Sequence, residues 1–251
     1  MRLTLLSLVG LVLFAWPFLG GSIASDVPAL AVALGSLGAL LVVEVGARRL
    51  DSRGIALLAA IAALDAGLRL ALVTGIGGFS PIFFLILCAG YAFGPAFGFE
   101  AGALALVVSA IATGGVGPWL PYQVFAAGWV GVAAGVAGGL VAGYRRRRLA
   151  VPTRTDLLVL AGVGLVTGFA YGALMDAWDW TFFAGSPDLG WVPGLPLAET
   201  VARFVRFYLV TSLAYDSLRA IGNAVLVLAL GAPILAALGR LRRRMTFEVV
   251  A

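Results

Sequence analysis

Long apolar runs separated by short polar connections make up most of the chain. A helix needs about 20 residues to cross a bilayer, and most of the runs approach or reach that length. The runs lie at Leu3–Gly21, Val27–Ala47, Ile55–Ile76, Pro81–Phe97, Ala101–Gly114, Pro121–Tyr144, Leu157–Met175 and Leu218–Leu238. The pattern predicts eight transmembrane helices. The fourth and fifth are short, and we expect them to form a tight hairpin connected by Gly98, Phe99 and Glu100.

The composition supports an all-α integral membrane protein. Of the 251 residues, 62% are apolar and 12% are charged, and the mean hydropathy is +1.06. A water-soluble domain of this size needs more polar surface. The sequence has no His and one Cys, which excludes an intrachain disulfide, a Cys/His zinc site and a histidine base. We therefore expect no metal, no cofactor and no catalytic residue.

The basic residues predict the orientation of the chain. All 17 are Arg, and most of them follow the second, sixth and eighth apolar runs. Cytoplasmic connections of membrane proteins are rich in basic residues, so we expect both termini in the cytoplasm and the protein in a bacterial plasma membrane. The net charge of +5 then reflects topology, and we expect the lipid bilayer, not nucleic acid, as the environment of the chain.

Two segments need a separate interpretation. Met1–Ser25 has the apolar core of a signal peptide, but its length and Trp16-Pro17-Phe18 favour an uncleaved helix. Val201–Tyr215 carries Arg203 and Arg206 on the predicted outer side. We interpret this segment as an interfacial or lid-like helix before the last span.

Small residues recur at helical spacing. A glycine at every fourth position places a small stripe on one helix face, and we interpret these stripes as close packing within the bundle. They are Gly90, Gly94, Gly98, Gly102, Gly131, Gly135, Gly139, Gly143, Gly164, Gly168 and Gly172. The third run has small residues on nearly all sides from Ala56 to Gly67. Two interpretations stay open for it: internal packing, or docking of a helix from another protein.

Ionisable residues within apolar runs are costly and are therefore candidates for function. Asp65 and Arg69 stand four residues apart, and Asp216 and Arg219 stand three apart, which is the spacing of an ion pair within a helix. Each pair is either a structural pair or a site whose Arg binds a carboxylate, phosphate or amide group of a ligand. Asn223 adds an amide to the same face as Arg219.

The connection from Thr113 to Gln123 has the highest density of candidate ligand-binding residues. Three Gly and two Pro restrict its backbone. Trp119, Tyr122 and Gln123 place two aromatic rings and an amide at the predicted outer mouth of the sixth run. Trp and Tyr at this depth are also common as interface anchors, so both interpretations stay open. Phe79, in the short turn from Gly77 to Pro81, is a further candidate for capping a pocket.

Most of the chain from Ala56 to Leu238 resembles the substrate-specific (S) component of energy-coupling factor (ECF) importers, which are ABC-type vitamin transporters. The most specific part is Gly117-Pro118-Trp119-Leu120-Pro121-Tyr122-Gln123. The resemblance implies six helices with an outer vitamin pocket. It also implies partners: a transmembrane coupling (T) subunit and two cytoplasmic ATPases. Ala59 and Ala63 fit the Ala-x-x-x-Ala stripe that contacts the T subunit in this family.

We therefore expect residues 1–50 to hold two N-terminal helices and residues 51–251 to hold the six-helix S-component-like domain. The candidates for substrate binding are Arg69, Phe79, Trp119, Tyr122, Gln123, Asp216, Arg219 and Asn223. The resemblance points to cobalamin or another corrinoid, with thiamine-like and pyridoxine-like vitamins as alternatives. Two other functions stay open. One is a lipid-modifying membrane enzyme using Asp65, Glu100 or Asp216, and the other is a secondary carrier that needs no ATP.

Overall fold

The computed structural model of the protein describes residues 2–19, 31–32, 34–39, 42–43, 51–72, 82–145, 151–183 and 186–245. This part of the chain is helical and contains no strand, which confirms the all-α class. The helices are α1 (Arg2–Ala15), α2 (Ser52–Leu72), α3 (Ile82–Phe93), α4 (Pro95–Thr113), α5 (Leu120–Arg145), α6 (Arg154–Asp179), α7 (Leu197–Thr211) and α8 (Leu213–Met245). Short 3-10 helices, Trp16–Leu19 and Trp180–Phe183, follow α1 and α6. The described residues between 31 and 43 are also helical.

Four helical segments of the described chain are long and apolar enough to cross a membrane. They are Pro95–Thr113, Leu120–Gly143, Arg154–Phe183 and Leu213–Arg244. The shorter apolar helices are Arg2–Phe18 and Ile82–Phe93. The structure thus supports a multi-pass helical membrane protein. The predicted second run, Val27–Ala47, lies largely outside the described residues.

The turn between α3 and α4 lies at Gly94, one helical turn before the predicted position. Gly94 has a φ of 103°, in the left-handed region that favours glycine. Pro95 follows at the start of α4, where its fixed φ suits a helix and its missing N–H leaves no bond unmade. The predicted connection through Gly98, Phe99 and Glu100 is therefore wrong, because all three residues are buried within α4.

Glycines bring α3, α4 and α5 into backbone contact. A Cβ atom on Gly90 or Gly98 would clash with the carbonyl oxygen of Gly131. A Cβ atom on Gly168 would meet the backbone of Ala220, which brings α6 close to α8. Gly139 differs, because a Cβ atom there would have no neighbour within 4 Å. Most of the glycine stripe therefore packs inside the bundle, as the spacing predicts.

One end of the bundle, called the arginine end here, contains the start of α2 and the end of α8. Thr153 and Asp156 form a capping box at the start of α6. The hydroxyl of Tyr91 donates to Asp156 Oδ1 at 2.9 Å. Arg242 Nη1 donates to the carbonyl oxygen of Ala92 at 2.6 Å, at the C-terminal end of α3. Polar contacts between distant parts of the sequence thus join the helices at this end.

Helix α1 packs against α5. A Cβ atom on Gly10 would meet the rings of Phe125 and Trp129. Trp129 Nε1 donates to Ser7 Oγ at 3.1 Å, and the ring of Phe14 lies edge-on to Tyr122 with centroids 5.1 Å apart. The first helix is therefore an integral part of the bundle.

The segment expected to form one interfacial helix, Val201–Tyr215, consists of two elements. Helix α7 ends at Thr211, and α8 begins at Leu213, directly after Ser212. The boundary prediction is wrong because the apolar pattern continues across the break, where the Ser212 backbone leaves helical geometry with φ −128°. Tyr215 consequently belongs to the first turn of α8.

Candidate functional site

A cavity of about 490 Å³ lies at the end of the bundle opposite the arginine end, and we call this the cavity end. Residues from α2 to α8 line it, together with Trp119 in the turn before α5. The volume is within the usual range for sites that bind small molecules. Five of the eight predicted binding residues line it: Arg69, Trp119, Gln123, Asp216 and Arg219. Phe79 lies outside the described residues.

Two predicted residues, Tyr122 and Asn223, are buried behind the lining. The ring of Tyr122 stacks on Trp178, with centroids 5.1 Å apart. Asn223 is 1% exposed, and its amide donates to the carbonyl oxygen of Arg219 at 2.9 Å. Each residue thus supports a side chain or backbone segment of the wall instead of lining the cavity.

Arg219 is held by several groups at once. Its guanidinium donates to Asp216 Oδ1, and it lies over the rings of Tyr171, at 5.2 Å, and Tyr215, at 4.8 Å. Asp216 also interacts with the hydroxyl of Tyr208 on α7. Burial, with a further contribution from the Asp216 carboxylate, raises the pKa of Tyr208 to about 12, so its phenol stays protonated at neutral pH. The predicted Asp216–Arg219 pair is therefore a fixed part of the wall.

Arg69 reaches the cavity from α2. Its guanidinium donates to Ser109 Oγ on α4 at 3.0 Å. Asp65 lies one turn earlier on α2 and is 0% exposed. Its carboxyl group makes no hydrogen bond within the described chain, and Arg69 acts on it only through its positive charge. The two side chains therefore form no hydrogen-bonded pair, and Ser109 holds the Arg69 guanidinium.

Sequence reasoning missed two acidic residues of the wall. Asp176 and Asp179 lie in the last turn of α6 and line the cavity. Asp176 Oδ1 accepts a hydrogen bond from Ser212 Oγ at 2.7 Å, whereas its Oδ2 is buried without a partner. The indole N–H of Trp178 is also buried without a partner. The sequence gives little signal for them, because like charges at helical spacing do not favour a helix.

The rest of the cavity wall is largely aromatic and apolar. Phe83, Trp119, Tyr171, Trp178 and Tyr215 contribute rings. Trp119 is 39% exposed, and its Nε1 donates to the carbonyl oxygen of Gly115 at 3.1 Å. No group of three or more His, Cys, Asp or Glu side chains in the described chain is placed to hold a metal ion. The arrangement suits an organic ligand with an apolar or aromatic body and a few polar groups.

Comparison with known proteins identifies the family. Searches of curated proteins and of solved structures gave no match. The family described as "ECF transporter, substrate-specific component" matches residues 54–231 of the 251. The match begins in α2 and ends in α8, so it includes every residue that lines the cavity, while α1 precedes it. The chain therefore belongs to the family of substrate-specific components of ECF transporters.

Proposed function

We propose that this substrate-specific membrane subunit binds a small micronutrient, such as a vitamin, in the cavity. It delivers the molecule to the cytoplasm with a transmembrane T subunit and two cytoplasmic ATPases. One observation carries the proposal: a cavity of small-molecule size, lined by charged and aromatic side chains, lies wholly within the region that matches the family.

The charge distribution supports an outward-facing cavity. Arg53 lies at the start of α2, Arg145 at the end of α5, and Arg242, Arg243 and Arg244 at the end of α8. All of these positions are at the arginine end, away from the cavity. Basic residues favour the cytoplasmic side of a membrane, so both termini are cytoplasmic and the cavity faces outward in this proposal.

An exposed face of small residues on α2 supports docking of the T subunit. Ala59 and Ala63 are exposed, whereas Ala62 and Ala66, next to them on the helix surface, are 1% and 3% exposed. Within the part of the chain that the structure describes, α2 buries one face and leaves the adjoining Ala59 and Ala63 exposed. Small side chains let the backbone of a partner helix approach closely in a membrane, where lipid provides no hydrophobic drive.

The volume of the cavity favours a small vitamin over a corrinoid. Sites for drug-sized molecules occupy about 300–1,000 Å³, and the cavity of about 490 Å³ is in the lower part of that range. Cobalamin carries a four-ring macrocycle and a nucleotide arm and needs far more space. Ligands of thiamine or pyridoxine size fit this volume better.

The proposal is tested by placing a large side chain at the exposed Ala59 and Ala63 positions of α2. Ala59→Trp and Ala63→Trp should abolish uptake by cells that contain the T subunit and ATPases, because the indole prevents helix docking. Both variants should still retain the same small molecule after purification in detergent, as measured by mass spectrometry. Ala170→Trp, at an exposed position on α6, is the matched control and should transport normally.

Different results would exclude different parts of the proposal. Normal transport by both variants would show that the docking face is elsewhere. Uptake that persists after deletion of the ATPase genes would identify a carrier that works alone. A purified chain that retains no small molecule and turns over membrane lipids would identify an enzyme instead.

A further inference from the structure

Acidic side chains outnumber basic ones on the cavity wall. Three acidic residues line the cavity, Asp176, Asp179 and Asp216, together with two basic residues, Arg69 and Arg219. Negative charge on these acids exceeds the positive charge of the wall once all three are ionised. A buried excess charge is costly, so a ligand of opposite charge is favoured.

The two basic residues are already engaged by protein groups. Arg219 donates to Asp216 and lies between the rings of Tyr171 and Tyr215. Arg69 donates to Ser109. Each guanidinium therefore already has a protein partner before any ligand binds.

Asp176 is only partly satisfied, although Arg219 also attracts it. It is 7% exposed, and only Oδ1 has a hydrogen-bond partner, the hydroxyl of Ser212. Its Oδ2 is buried without a partner. An unpaired carboxylate oxygen in a buried site is unfavourable, and a ligand with an N–H or cationic group would satisfy it. Asp179 lines the same part of the cavity and adds a second negative charge.

The aromatic residues favour the same kind of ligand. Trp119 and Trp178 line the cavity together with the acidic residues, whereas the rings of Tyr171 and Tyr215 already face Arg219. The faces of aromatic rings attract cations, and the attraction increases when the site excludes water. These rings also provide flat apolar surfaces for a ring of the ligand.

We propose that the cavity selects micronutrients with a positively charged nitrogen on or next to an aromatic ring, and that Asp176 binds this nitrogen. This inference rests on the proposed function, because it assigns a chemical class to the molecule that the subunit binds. An inorganic cation does not fit, since the described residues contain no cluster of metal ligands. An organic cation uses both the acidic and the aromatic parts of the wall.

The test uses the purified full-length chain and six defined probes. Thiamine and pyridoxamine carry a positive charge, pyridoxine and riboflavin are uncharged, and biotin and pantothenate are anions. Pyridoxamine and pyridoxine form a matched pair, because they share one ring and differ in an ammonium or a hydroxyl group. Calorimetry gives the affinity for each probe, and mass spectrometry identifies any small molecule retained from the cells.

We expect a cationic probe, or a retained molecule with a basic or quaternary nitrogen, to bind at least tenfold more tightly than the uncharged and anionic probes. Asp176→Asn should weaken that binding at least tenfold, because it removes the charge while keeping the shape. Asp188→Asn is the matched control: Asp188 is exposed and does not line the cavity, so affinity should not change. Asp179→Asn is the second variant and should weaken binding severalfold even if Asp176→Asn fails to fold.

Several results would overturn the inference. One is a retained molecule without a basic or quaternary nitrogen, and another is tighter binding of an uncharged or anionic probe. Unchanged affinity in both Asp176→Asn and Asp179→Asn would be equally decisive. A chain that binds none of the probes and retains nothing also overturns it. Co-purification with the T subunit and ATPases then tests the proposed function separately. If the complex forms, the proposed function stands; if no complex forms, the proposed function is wrong.

Discussion

The two ends of the bundle are built from the same helices in opposite ways. At and near the arginine end, Gly90, Gly98 and Gly131 remove side chains from the contacts, and the backbones of α3, α4 and α5 touch. At the cavity end, Phe83, Trp119 and Tyr171 project from those elements and from α6, and a space of about 490 Å³ lies among them. The comparison shows that side-chain size along each helix decides where the bundle closes and where it stays open.

The two ends also differ in whether their buried polar groups have hydrogen-bond partners. At the arginine end, Asp156 is bonded to both Thr153 and Tyr91. At the cavity end, Asp176 Oδ2 and the Trp178 N–H are buried without partners. A buried polar group without a partner costs about 1–3 kcal/mol. In the proposed function, a ligand bound in the cavity would pair with these groups.

The largest effect, on stability, is expected at Gly131, where the backbones of α4 and α5 are in contact. Gly131→Leu places a Cβ atom against the carbonyl oxygen of Gly98, and a backbone atom cannot move aside as a side-chain tip can. We expect the free energy of unfolding to fall by about 3 kcal/mol, the upper part of the usual range for overpacking. Thermal unfolding in detergent measures it.

Gly139→Leu is the matched control on the same helix, because a Cβ atom at Gly139 has no neighbour within 4 Å. It should unfold close to the wild-type temperature. If both variants unfold alike, then backbone contact is not what closes this part of the bundle.

The second largest effect, on ligand affinity, is expected for a substitution of Gly172 at the cavity end. A Cβ atom on Gly172 would occupy the position of the Asp216 carboxylate, so Gly172→Ala should separate Asp216 from Arg219. We expect binding of the retained molecule to weaken by about 2 kcal/mol, the scale of a hydrogen bond to a charged group. Gly162→Ala, on the same helix but with open space around it, should bind normally. Equal affinities would show that the ion pair does not shape the cavity.

Much of the fold is predictable from sequence because membrane spans need long apolar runs. The run boundaries are less predictable. Gly98, Phe99 and Glu100 separate two predicted apolar runs, yet all three are buried within α4. The better signal was Gly94-Pro95, where a residue free to adopt positive φ precedes one that starts helices well.

The candidate site was predictable where charge or aromatic character stands out against an apolar background. Arg69, Trp119 and Arg219 are found in this way, and all three line the cavity. Asp176 was missed because α6 continues beyond Met175, where the predicted apolar run ends, so the acid was assigned to the following connection. The sequence also gives no information on which acid is already paired, since Ser212, the partner of Asp176, comes from a distant part of the chain.

A smaller effect is expected at the rim of the cavity. Trp119→Ala removes an aromatic surface that lines the cavity and is 39% exposed. Binding of the retained molecule should weaken by about 1.5 kcal/mol, since partial exposure makes the ring less effective than a fully buried anchor. Trp16→Ala, an exposed Trp away from the lining, is the control for loss of an interface anchor. If both variants weaken binding equally, Trp119 acts as an anchor in the membrane interface.

The smallest effect separates stability from binding at the arginine end. Tyr91→Phe removes the hydroxyl that donates to Asp156, and Thr153 continues to bond this carboxylate. The free energy of unfolding should fall by about 1 kcal/mol, with unchanged affinity for the retained molecule, because Tyr91 lies far from the cavity lining. Tyr215→Phe at the cavity end keeps the ring over Arg219 and should change stability less. A loss of affinity in Tyr91→Phe would mean that the two ends are coupled, and that closing the arginine end helps to set the shape of the cavity.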